Sequence, residues 1–367
     1  MTIFLLRRRY SEVGGAERFT CRLARALSER GHEVIILAEE WPEAKDQSYR
    51  VKLVHSHGVT AYARAALACV NENLNAFVFS LERTLWQDIY RAGDGVHAAW
   101  LDRRAPYLPP WKRIFSKFDP KHRALLRLER SVFTTKISAR VIANSDMGKR
   151  EILQRFDYPA DRIRVIHPGV DLDWFVPCME RKRRATFRAK WGMPVHGVVW
   201  AFVGSGFERK GLQWAIEIAA AQKSPPVLCV LGKGNTHFYR ALAQKRGVSV
   251  EFLPLSTEAR DVYHAADAFI LPTIYDPCSN ACLEAFACGL PVITTEANGA
   301  AERVRGVILP DPSQTERCAE VCSACNVPWN DAWVGAEERA ALDEKPCWDA
   351  ILELVEEGAR NKGLSLS

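Results

Sequence analysis

Two carboxylates with seven residues between them are the first candidates for chemistry. They are Asp276 and Glu284, and a helix start is predicted between them at Ser279 and Asn280. Backbone N–H groups at a helix start can hold a phosphate, and a carboxylate further along can accept hydrogen bonds from vicinal ribose hydroxyls. Asp276 could then hold the hydroxyls of a sugar. Helix capping and ordinary surface charge are the alternative explanation for the same residues.

A glycine-bearing loop is the second candidate, in the stretch Gly204-Ser-Gly-Phe-Glu-Arg209-Lys210-Gly211. We expect Arg209 and Lys210 to stand at the start of a helix that follows a strand over 198–203. Arg binds phosphate oxygens through two hydrogen bonds, and Lys adds a point charge that stabilises a departing diphosphate. Positive charge at a helix start opposes the helix dipole, which favours a bound anion over a plain surface pair. The spacing differs from that of a Walker A loop, so ATP hydrolysis is disfavoured.

Paired glycines, Gly14 and Gly15, lie between the first predicted strand and the first predicted helix. Glycines let backbone N–H groups approach an anion, and the helix N-terminus adds a favourable dipole. A diphosphate or a phosphorylated sugar would suit this turn. A plain tight turn remains the alternative, because the Rossmann fingerprint needs three glycines at fixed spacing.

The elements that would position these groups follow a regular order. Short apolar runs alternate with longer amphipathic stretches, which predicts parallel sheets covered by helices on both faces. The order stops at His167-Pro-Gly-Val-Asp171 and restarts at residue 198. We therefore predict an α/β protein with two doubly wound domains, 1–168 and 169–345, and a ligand cleft between them. A C-terminal helix over 346–367 is predicted to pack back on the first domain.

The predicted helices include 112–136 and 210–221, and the tail at 331–358 is helical in pattern.

Length, composition and charge exclude several classes of protein. The 367 residues are 48% apolar and 26% charged, which excludes a disordered, collagenous or low-complexity protein. The net charge of +6 is unevenly divided: residues 1–170 hold 29 Lys and Arg against 19 Asp and Glu, and residues 171–367 hold 21 against 25. Such a basic half suggests contact with a polyanion or an anionic surface, the alternative being a solvated basic face. No apolar run is long enough to span a membrane, so any membrane contact is expected to be peripheral.

The densest basic stretch, 103–130, is interleaved with the aromatic residues Trp100, Trp111, Phe115 and Phe118. Basic and aromatic residues together fit a membrane interface or a phosphorylated glycolipid. Nucleic acid is a competing partner, and a core helix with a basic outer face is the structural alternative. The sequence carries no recognised nucleic-acid motif, so no nucleic-acid partner is predicted.

Taken together, these motifs resemble the retaining GT-B glycosyltransferases of family 4. The hallmark of that family is two acidic residues with seven between them, here Asp276 and Glu284, and an Ala-x-Gly-x-Pro-Val helix end, here at 287–292. The paired glycines, the Ala-Asn-Ser strand end at 143–145, the 167–171 hinge and the Arg-Lys-Gly stretch also match. The likeness covers nearly the whole chain and is greatest to the lipopolysaccharide-core glucosyltransferases, in 203–211 and 88–94.

The resemblance implies transfer of a hexose from a nucleotide-diphosphate sugar, such as UDP-glucose, to an acceptor hydroxyl with retained anomeric configuration. The implied donor-binding residues are Gly14, Gly15, Arg209, Lys210, Asp276, Ser279, Asn280 and Glu284. Arg209 and Lys210 would contact the diphosphate. Family members usually carry Glu at the first acidic position, so the shorter Asp276 leaves the donor sugar open.

The first domain would hold the acceptor, near Asp94 and His97. Asp94 would serve as base or orient the acceptor, and His97 would touch it, with a packed histidine as the alternative. The implied catalytic residues are therefore Asp94, Arg209, Lys210 and Asp276. Asp171-Leu-Asp173 imitates a metal motif, but GT-B transferases use side chains instead, so no metal or other cofactor is expected.

The acceptor implied is a lipopolysaccharide core or similar envelope glycan, reached at the inner face of the cytoplasmic membrane by a cytoplasmic enzyme. Two alternatives stay open. One is the same chemistry on a lipid, an exopolysaccharide or a small metabolite; the other is a non-catalytic protein that binds sugar nucleotides or polyanions.

Overall fold

The computed structural model describes residues 1–10, 15–42, 48–134, 136–178, 181–328 and 334–365. These residues form two compact units. The first unit comprises Met1–His167 together with Lys345–Ser367, and the second comprises Pro168–Glu344. The predicted division after residue 168 lies one residue from the division after His167.

The first unit is built on a parallel sheet. Its strands are β1 (Thr2–Leu6), β2 (Glu33–Ala38), β3 (Arg50–Leu53), β4 (Phe77–Ser80), β5 (Gln87–Arg91), β6 (Ser138–Ala143) and β7 (Ile163–Val165). They lie in the order β3-β2-β1-β4-β5-β6-β7 within the described residues, and every pairing is parallel. Its helices are α1 (Gly15–Glu29), α2 (Val59–Asn71), α3 (His97–Arg104), α4 (Pro110–Phe118), α5 (Pro120–Val132) and α6 (Asp146–Arg155).

The second unit repeats this design with its own parallel sheet. Its strands are β8 (Val199–Val203), β9 (Val227–Leu231), β10 (Val250–Phe252), β11 (Ala268–Leu271), β12 (Val292–Thr295) and β13 (Gly306–Leu309). In the part of the chain that the structure describes, their order is β10-β9-β8-β11-β12-β13. Its helices are α7 (Arg181–Lys190), α8 (Phe207–Lys210), α9 (Leu212–Ala220), α10 (His237–Arg246), α11 (Ala259–Ala265), α12 (Asn280–Ala287), α13 (Thr315–Cys322) and α14 (Ala336–Ala340). The predicted α/β class with two doubly wound sheets is confirmed.

The last helix, α15 (Glu344–Asn361), returns the chain to the first unit. Its buried residues Ile351, Leu354 and Val355 join the same apolar core as Ile3 and Phe77 of the first sheet. Ion pairs flank this contact, from Arg30, Arg140 and Arg164 to carboxylates of α15. The apolar face of α15 and a face of the first sheet thus cover each other, as expected for an amphipathic helix packed on a sheet.

The predicted helix over 112–136 is wrong as a single element. The chain breaks between α4 and α5 at Asp119, whose carboxylate accepts hydrogen bonds from the N–H groups of Lys121 and His122. Pro120 follows at the first position of α5, where its missing N–H costs nothing. The predicted tail helix over 331–358 is also interrupted, because α14 ends at Ala340 and α15 begins at Glu344, while residues 331–333 lie outside the described range.

Strand β5 was not predicted, because Gln87 and Asp88 give its sequence a polar start. Both polar side chains are bonded inside the fold. Thr84 donates to the Gln87 side chain at 2.5 Å, and Asp88 accepts from the N–H of Val78 at 2.8 Å and from Lys362 at 3.0 Å. A polar strand can therefore lie in the interior of the sheet.

Candidate functional site

The loop after β8 is held rigidly at the carboxyl end of the second sheet. Its Gly204 N–H donates to Leu231 O at 2.8 Å, and its Gly206 N–H donates to Lys233 O at 3.1 Å. A Cβ on Gly232 would lie 2.2 Å from Gly204 O, so the loops after β8 and β9 approach too closely for a larger residue. Strand β8 lies between β9 and β11, which is the switch point of the strand order and a favoured ligand position in such sheets.

Arg209 and Lys210 lie in the last turn of α8, not at the start of a helix over 210–221. That predicted helix is wrong at its beginning, because Gly211 takes a left-handed conformation with φ of 79° and separates α8 from α9. Because α8 is only one turn long, its dipole does not decide between a bound anion and a plain surface pair, and the reason for this basic pair must be found in its neighbours.

Position 211 requires a glycine because of its left-handed backbone conformation and because there is no room for a side chain. A Cβ at this position would lie 2.0 Å from the carbonyl oxygen of Pro272, the residue after β11. The close approach places Arg209 beside the loop that follows β11. The carbonyl oxygen of Arg209 accepts hydrogen bonds from Thr273 Oγ1 at 2.8 Å and from Ile274 N at 2.9 Å. The Arg-Lys-Gly sequence thus fixes two basic side chains against the loop of the neighbouring strand.

Asp276 is the acidic partner of both basic residues. Its carboxylate is bonded to Lys210 Nζ, and Arg209 Nη1 lies 3.6 Å from Asp276 Oδ2. The other carboxylate oxygen accepts from the Cys278 N–H at 3.3 Å. Asp276 is 4% exposed. Burial alone would raise the pKa of the Asp276 carboxyl, but the Lys210 ammonium and the Arg209 guanidinium outweigh burial and hold that pKa below its ordinary value.

The three charges therefore form a preorganised cluster. Arg209 also donates to Tyr275 O at 3.2 Å, and its side chain is 39% exposed, whereas that of Lys210 is 12% exposed. Two cations share one carboxylate, which leaves the cluster net positive and partly open to solvent. Such a cluster can stabilise negative charge without moving.

The loop between Asp276 and α12 is fastened by Asn298, which sequence reasoning missed. The Asn298 side-chain oxygen accepts from the Ser279 N–H at 3.1 Å, and its amide nitrogen donates to Thr294 Oγ1 at 2.9 Å. Asp276 and Asn298 are also paired as a short parallel bridge. The Ser279 N–H is thus bonded to Asn298 in this structure, and the contact of Ser279 with a donor phosphate stays a prediction. Asn280, the first residue of α12, is exposed.

Glu284 lies in α12 and is half-buried. The Tyr263 hydroxyl donates to Glu284 Oε2 at 3.0 Å. Burial, and then the nearby Glu284 carboxylate, raise the pKa of Tyr263, which therefore keeps its proton and remains a donor. Tyr263 orients the second acidic residue, and nothing in the local sequence of α11 indicates this role.

In the first unit, Gly15 begins α1, and Gly14 lies outside the described residues. The arginines that follow β1 are bound by carboxylates. Arg7 contacts Glu17 at 2.9 Å and Glu82 at 3.2 Å. Arg8 and Arg9 contact Glu39 at 2.8 and 3.0 Å. The positive charges of the arginines at 7–9 are thus balanced by carboxylates of the same unit.

Asp94 is exposed in the turn after β5, and His97 begins α3. His97 Nε2 lies 3.2 Å from His122 Nδ1. Burial lowers the pKa of His97 to about 4, and the positive charge of Arg83 adds to the effect, while Asp94 opposes it. His97 is therefore a neutral imidazole near neutral pH, packed against a second histidine and electrostatically coupled to Asp94.

A buried ion pair holds the segment that carries Asp94. Glu129 accepts from the N–H groups of His97 at 2.6 Å and of Ala98 at 3.0 Å, at the N-terminus of α3. Arg83 lies 3.1 Å from the same carboxylate and donates to Gly95 O at 2.7 Å. Arg83 and Glu129 come from distant parts of the sequence, so their joint role was missed. Together they fix the turn on both sides of Asp94.

The structure thus brings Arg209, Lys210 and Asp276 into direct contact, with Glu284 on the helix that follows. Asp94, His97 and Gly15 belong to the first unit. The Asp171-Leu-Asp173 sequence makes a turn in which Asp171 Oδ1 accepts from the N–H groups of Asp173 and Trp174, at 3.1 and 3.0 Å. That local capping role accounts for the metal-like spacing.

Two family models match the chain. One, described as "Glycosyl transferases group 1", matches residues 197–325, and the other, described as "Glycosyltransferase Family 4", matches residues 13–174. The two matches cover most of both units, including the cluster around Asp276 and the turn with Asp94.

Known proteins with similar sequences include two glycosyltransferases. The chain is 24% identical over 329 residues to the lipopolysaccharide glucosyltransferase WaaG of Escherichia coli (strain K12), covering 85% of this chain and 86% of that protein. It is 34% identical over 186 residues to the D-inositol 3-phosphate glycosyltransferase of Salinispora arenicola (strain CNS-205), covering 45% of this chain and 41% of that protein.

Solved structures share the fold over nearly the full length. The crystal structure of WaaG, a glycosyltransferase involved in lipopolysaccharide biosynthesis, superposes with a TM-score of 0.79 at 21% identity, covering 96% of this chain and 99% of that one. Anabaena Alr3699/HepE in complex with UDP-glucose superposes with a TM-score of 0.69 at 16% identity, covering 97% and 100%. The two-sheet architecture is therefore the GT-B architecture of these transferases.

Proposed function

This chain belongs to the glycosyltransferases of group 1 and family 4, and on that premise we propose that it transfers a hexose from a nucleotide-diphosphate sugar with retention of anomeric configuration. The cluster of Arg209, Lys210 and Asp276 carries the proposal. Its net positive charge, fixed at the carboxyl end of β8, suits the diphosphate of a donor such as UDP-glucose. The relative HepE binds UDP-glucose on the same fold.

The chemistry proposed is substitution at the anomeric carbon. The bond from this carbon to the diphosphate oxygen breaks, a bond to the acceptor oxygen forms on the same face, and the acceptor proton passes to the departing diphosphate. Arg209 and Lys210 stabilise the charge that develops on that diphosphate. Because these two cations supply the positive charge, the reaction is proposed to need no metal.

Four further residues are proposed to contact the donor. Glu284, oriented by Tyr263, is proposed to accept hydrogen bonds from the ribose hydroxyls. Asp276 holds Lys210 and Arg209 in place, and we propose that its contact with the transferred sugar comes in addition to that role. Asn280 and Gly15 are proposed to offer backbone N–H groups at the starts of α12 and α1.

The acceptor is proposed to be a lipopolysaccharide core or a similar envelope glycan, bound near Asp94 and His97. The relative WaaG is named as a lipopolysaccharide glucosyltransferase. The buried pair of Arg83 and Glu129 holds Asp94 in a fixed turn, where its exposed carboxylate can accept a hydrogen bond from an acceptor hydroxyl. In this role Asp94 orients the acceptor hydroxyl, whose proton passes to the diphosphate; transfer of that proton to Asp94 itself is the alternative.

Helix α4 supports a peripheral membrane contact. Trp111, Ile114, Phe115 and Phe118 are between 58% and 68% exposed, an unusual density of apolar side chains on one short helix. Lys112 lies over the Trp111 ring at 5.2 Å, and Arg113 donates to Leu108 O at 3.2 Å. Among the described residues, no helix has the length and apolar character needed to cross a membrane. We propose that α4 lies in an anionic lipid surface on the cytoplasmic side.

The transferase proposal is tested by assaying the full chain for release of UDP from UDP-glucose and for transfer to lipopolysaccharide core. We expect Lys210→Ala and Glu284→Ala each to lower kcat/KM by about a hundredfold or more, while the exposed Lys245→Ala changes it little. Circular dichroism and thermal melts show whether each variant is folded. Turnover that persists in both folded variants would refute the proposal, and activity lost in chelator and restored by a divalent ion would refute its metal independence.

The membrane proposal is tested with vesicles. We expect salt-sensitive binding to anionic vesicles, weakened when Trp111 and Phe115 are changed to Ser, because both burial of apolar area and charge attraction contribute. Leu74→Ser, which removes an equally exposed apolar residue elsewhere, is the matched control. Equal binding to neutral vesicles at low and high salt would contradict the proposal.

A further inference from the structure

A concave site lies in the first unit, and its lining includes none of the residues proposed for the transferase chemistry. It encloses about 260 Å³ and is walled by β6, the edge strand β7, the turn at 160–162, α6 and α15. We call it the β7 pocket. Its charged lining residues are Arg140, Lys149, Asp161, Arg162, Arg164 and Glu357.

The walls of the β7 pocket are cationic. Four of its charged residues are basic and two are acidic, so the walls carry two net positive charges. Within this count, Arg140 pairs with Glu357 at 2.7 Å. Arg164 pairs with Glu353 at 3.0 Å, but that carboxylate is 64% exposed, and an exposed ion pair of this kind contributes little to folding stability.

Two of the basic residues keep unused hydrogen-bonding capacity. Lys149 is half-buried, and its ammonium donates to Ile163 O at 3.1 Å. A lysine has three N–H donors, so two remain. Arg162 lies exposed on the pocket wall. Among the described residues, neither Lys149 nor Arg162 is paired with a carboxylate, although both stand in the lining of one small cavity.

We propose that the β7 pocket binds the phosphate group of a small phosphate monoester, with Lys149 and Arg162 donating to its oxygens. A phosphate monoester carries nearly two negative charges at neutral pH, opposite in sign to the net charge of the walls. An ammonium and a guanidinium are the side chains that form the strongest hydrogen bonds to phosphate. The volume is below the range of about 300–1,000 Å³ typical of drug-sized ligands, which favours a small ester over a nucleotide sugar.

Occupancy of the pocket would join β7 to α15. Ile163 and Arg164 belong to the edge strand, and Leu354 and Glu357 belong to the helix that returns the chain to the first unit. A ligand that bridges these elements stabilises the folded first unit by mass action.

The proposal is tested by the acetylation rate of single lysines in the full chain, followed by mass spectrometry at constant ionic strength. Inorganic phosphate is the first probe, and vesicles containing phosphatidic acid are the second. We expect saturable protection of Lys149 by at least one probe and none of the exposed Lys245. Protection by phosphate identifies a soluble ester, and protection by the vesicles alone identifies a lipid headgroup.

Variants separate a built site from loose ion binding. Arg162→Ala should raise the half-saturating probe concentration by roughly tenfold, because one charge-assisted hydrogen bond is lost. Arg317→Ala, an exposed arginine of the second unit, should leave it unchanged. Equal protection of Lys149 and Lys245, no protection by either probe, or an unchanged midpoint in Arg162→Ala would overturn the proposal. Lys210 reports on the donor site in the same spectra, so the two proposals fail independently.

Discussion

Replacing Tyr263 with Phe removes one hydroxyl from a fully buried ring and leaves the rest of the packing intact. The ring contacts Phe175 and Phe269 at centroid distances of 6.2 and 5.8 Å, and Phe preserves both contacts. The hydroxyl donates to Glu284 Oε2 at 3.0 Å. The substitution therefore tests whether orientation of the Glu284 carboxylate matters for donor binding.

The magnitude follows from the type of bond lost. A hydrogen bond to a charged group contributes about 1.5–3 kcal/mol, and Glu284 is half-buried, so water can replace part of it. Taking the lower end, about 1.5 kcal/mol of donor binding is lost, which corresponds to an increase of about tenfold in the KM for UDP-glucose. Since Glu284 is assigned to the ribose and not to the reacting carbon, kcat should change by less than about threefold.

The assay is steady-state release of UDP from UDP-glucose, with a matched control. Tyr62→Phe removes a hydroxyl that is equally buried and donates to Leu37 O at 2.7 Å in the first unit. Both variants should lose stability by about 1 kcal/mol in urea unfolding, but Tyr263→Phe alone should raise the donor KM. An unchanged KM in Tyr263→Phe, or an equal rise in both variants, would refute the role given to Tyr263.

Three further predictions concern stability. Gly211→Ala should destabilise the chain by about 3 kcal/mol or more, because its Cβ would lie 2.0 Å from Pro272 O. Gly247 has a similar φ but open space around it, so the control Gly247→Ala should cost about 1 kcal/mol. Equal melting temperatures of the two variants would contradict this prediction. Glu129→Gln should cost about 3–5 kcal/mol in urea unfolding because it leaves its buried arginine partner uncompensated, and a loss below about 1 kcal/mol would contradict the ion pair's importance. The lowered pKa of His97 means that the folded state binds this proton less readily than the unfolded state, so stability should fall as pH decreases from 6.5 to about 4. His97→Asn should flatten this part of the profile, and an unchanged slope would show that other groups cause it.

Much of the fold could be predicted from the sequence, because the apolar residues that each strand and helix buries recur at the spacing of that element. The apolar runs at 2–6, 33–38 and 268–271 each have the length of a strand, and each forms one. Helix breaks were harder to predict. Asp119-Pro120 and Gly211 carry ordinary break signals, yet the apolar period continues across both, and the break depends on what each residue meets in the fold.

The candidate site was predictable only as a set of motifs. Arg209, Lys210 and Asp276 stood out in the sequence, but their mutual contact depends on β8 and β11 being neighbours. Tyr263 and Asn298 serve the site through single hydrogen bonds from elements with no motif of their own. Spacing along the chain identifies groups that act within one loop, and it carries no information on partners brought from distant strands.

The return of α15 to the first unit has a consequence for the order in which the chain can mature during synthesis. The core around Ile3 and Phe77 lacks its cover of Ile351 and Val355 until these two residues have been synthesised. The second unit, continuous from Pro168 to Glu344, is complete earlier. The first unit is thus completed after the second, and an apolar face of its sheet stays exposed in the meantime. Truncation before Ile351 should therefore cause aggregation rather than give a shorter, folded protein.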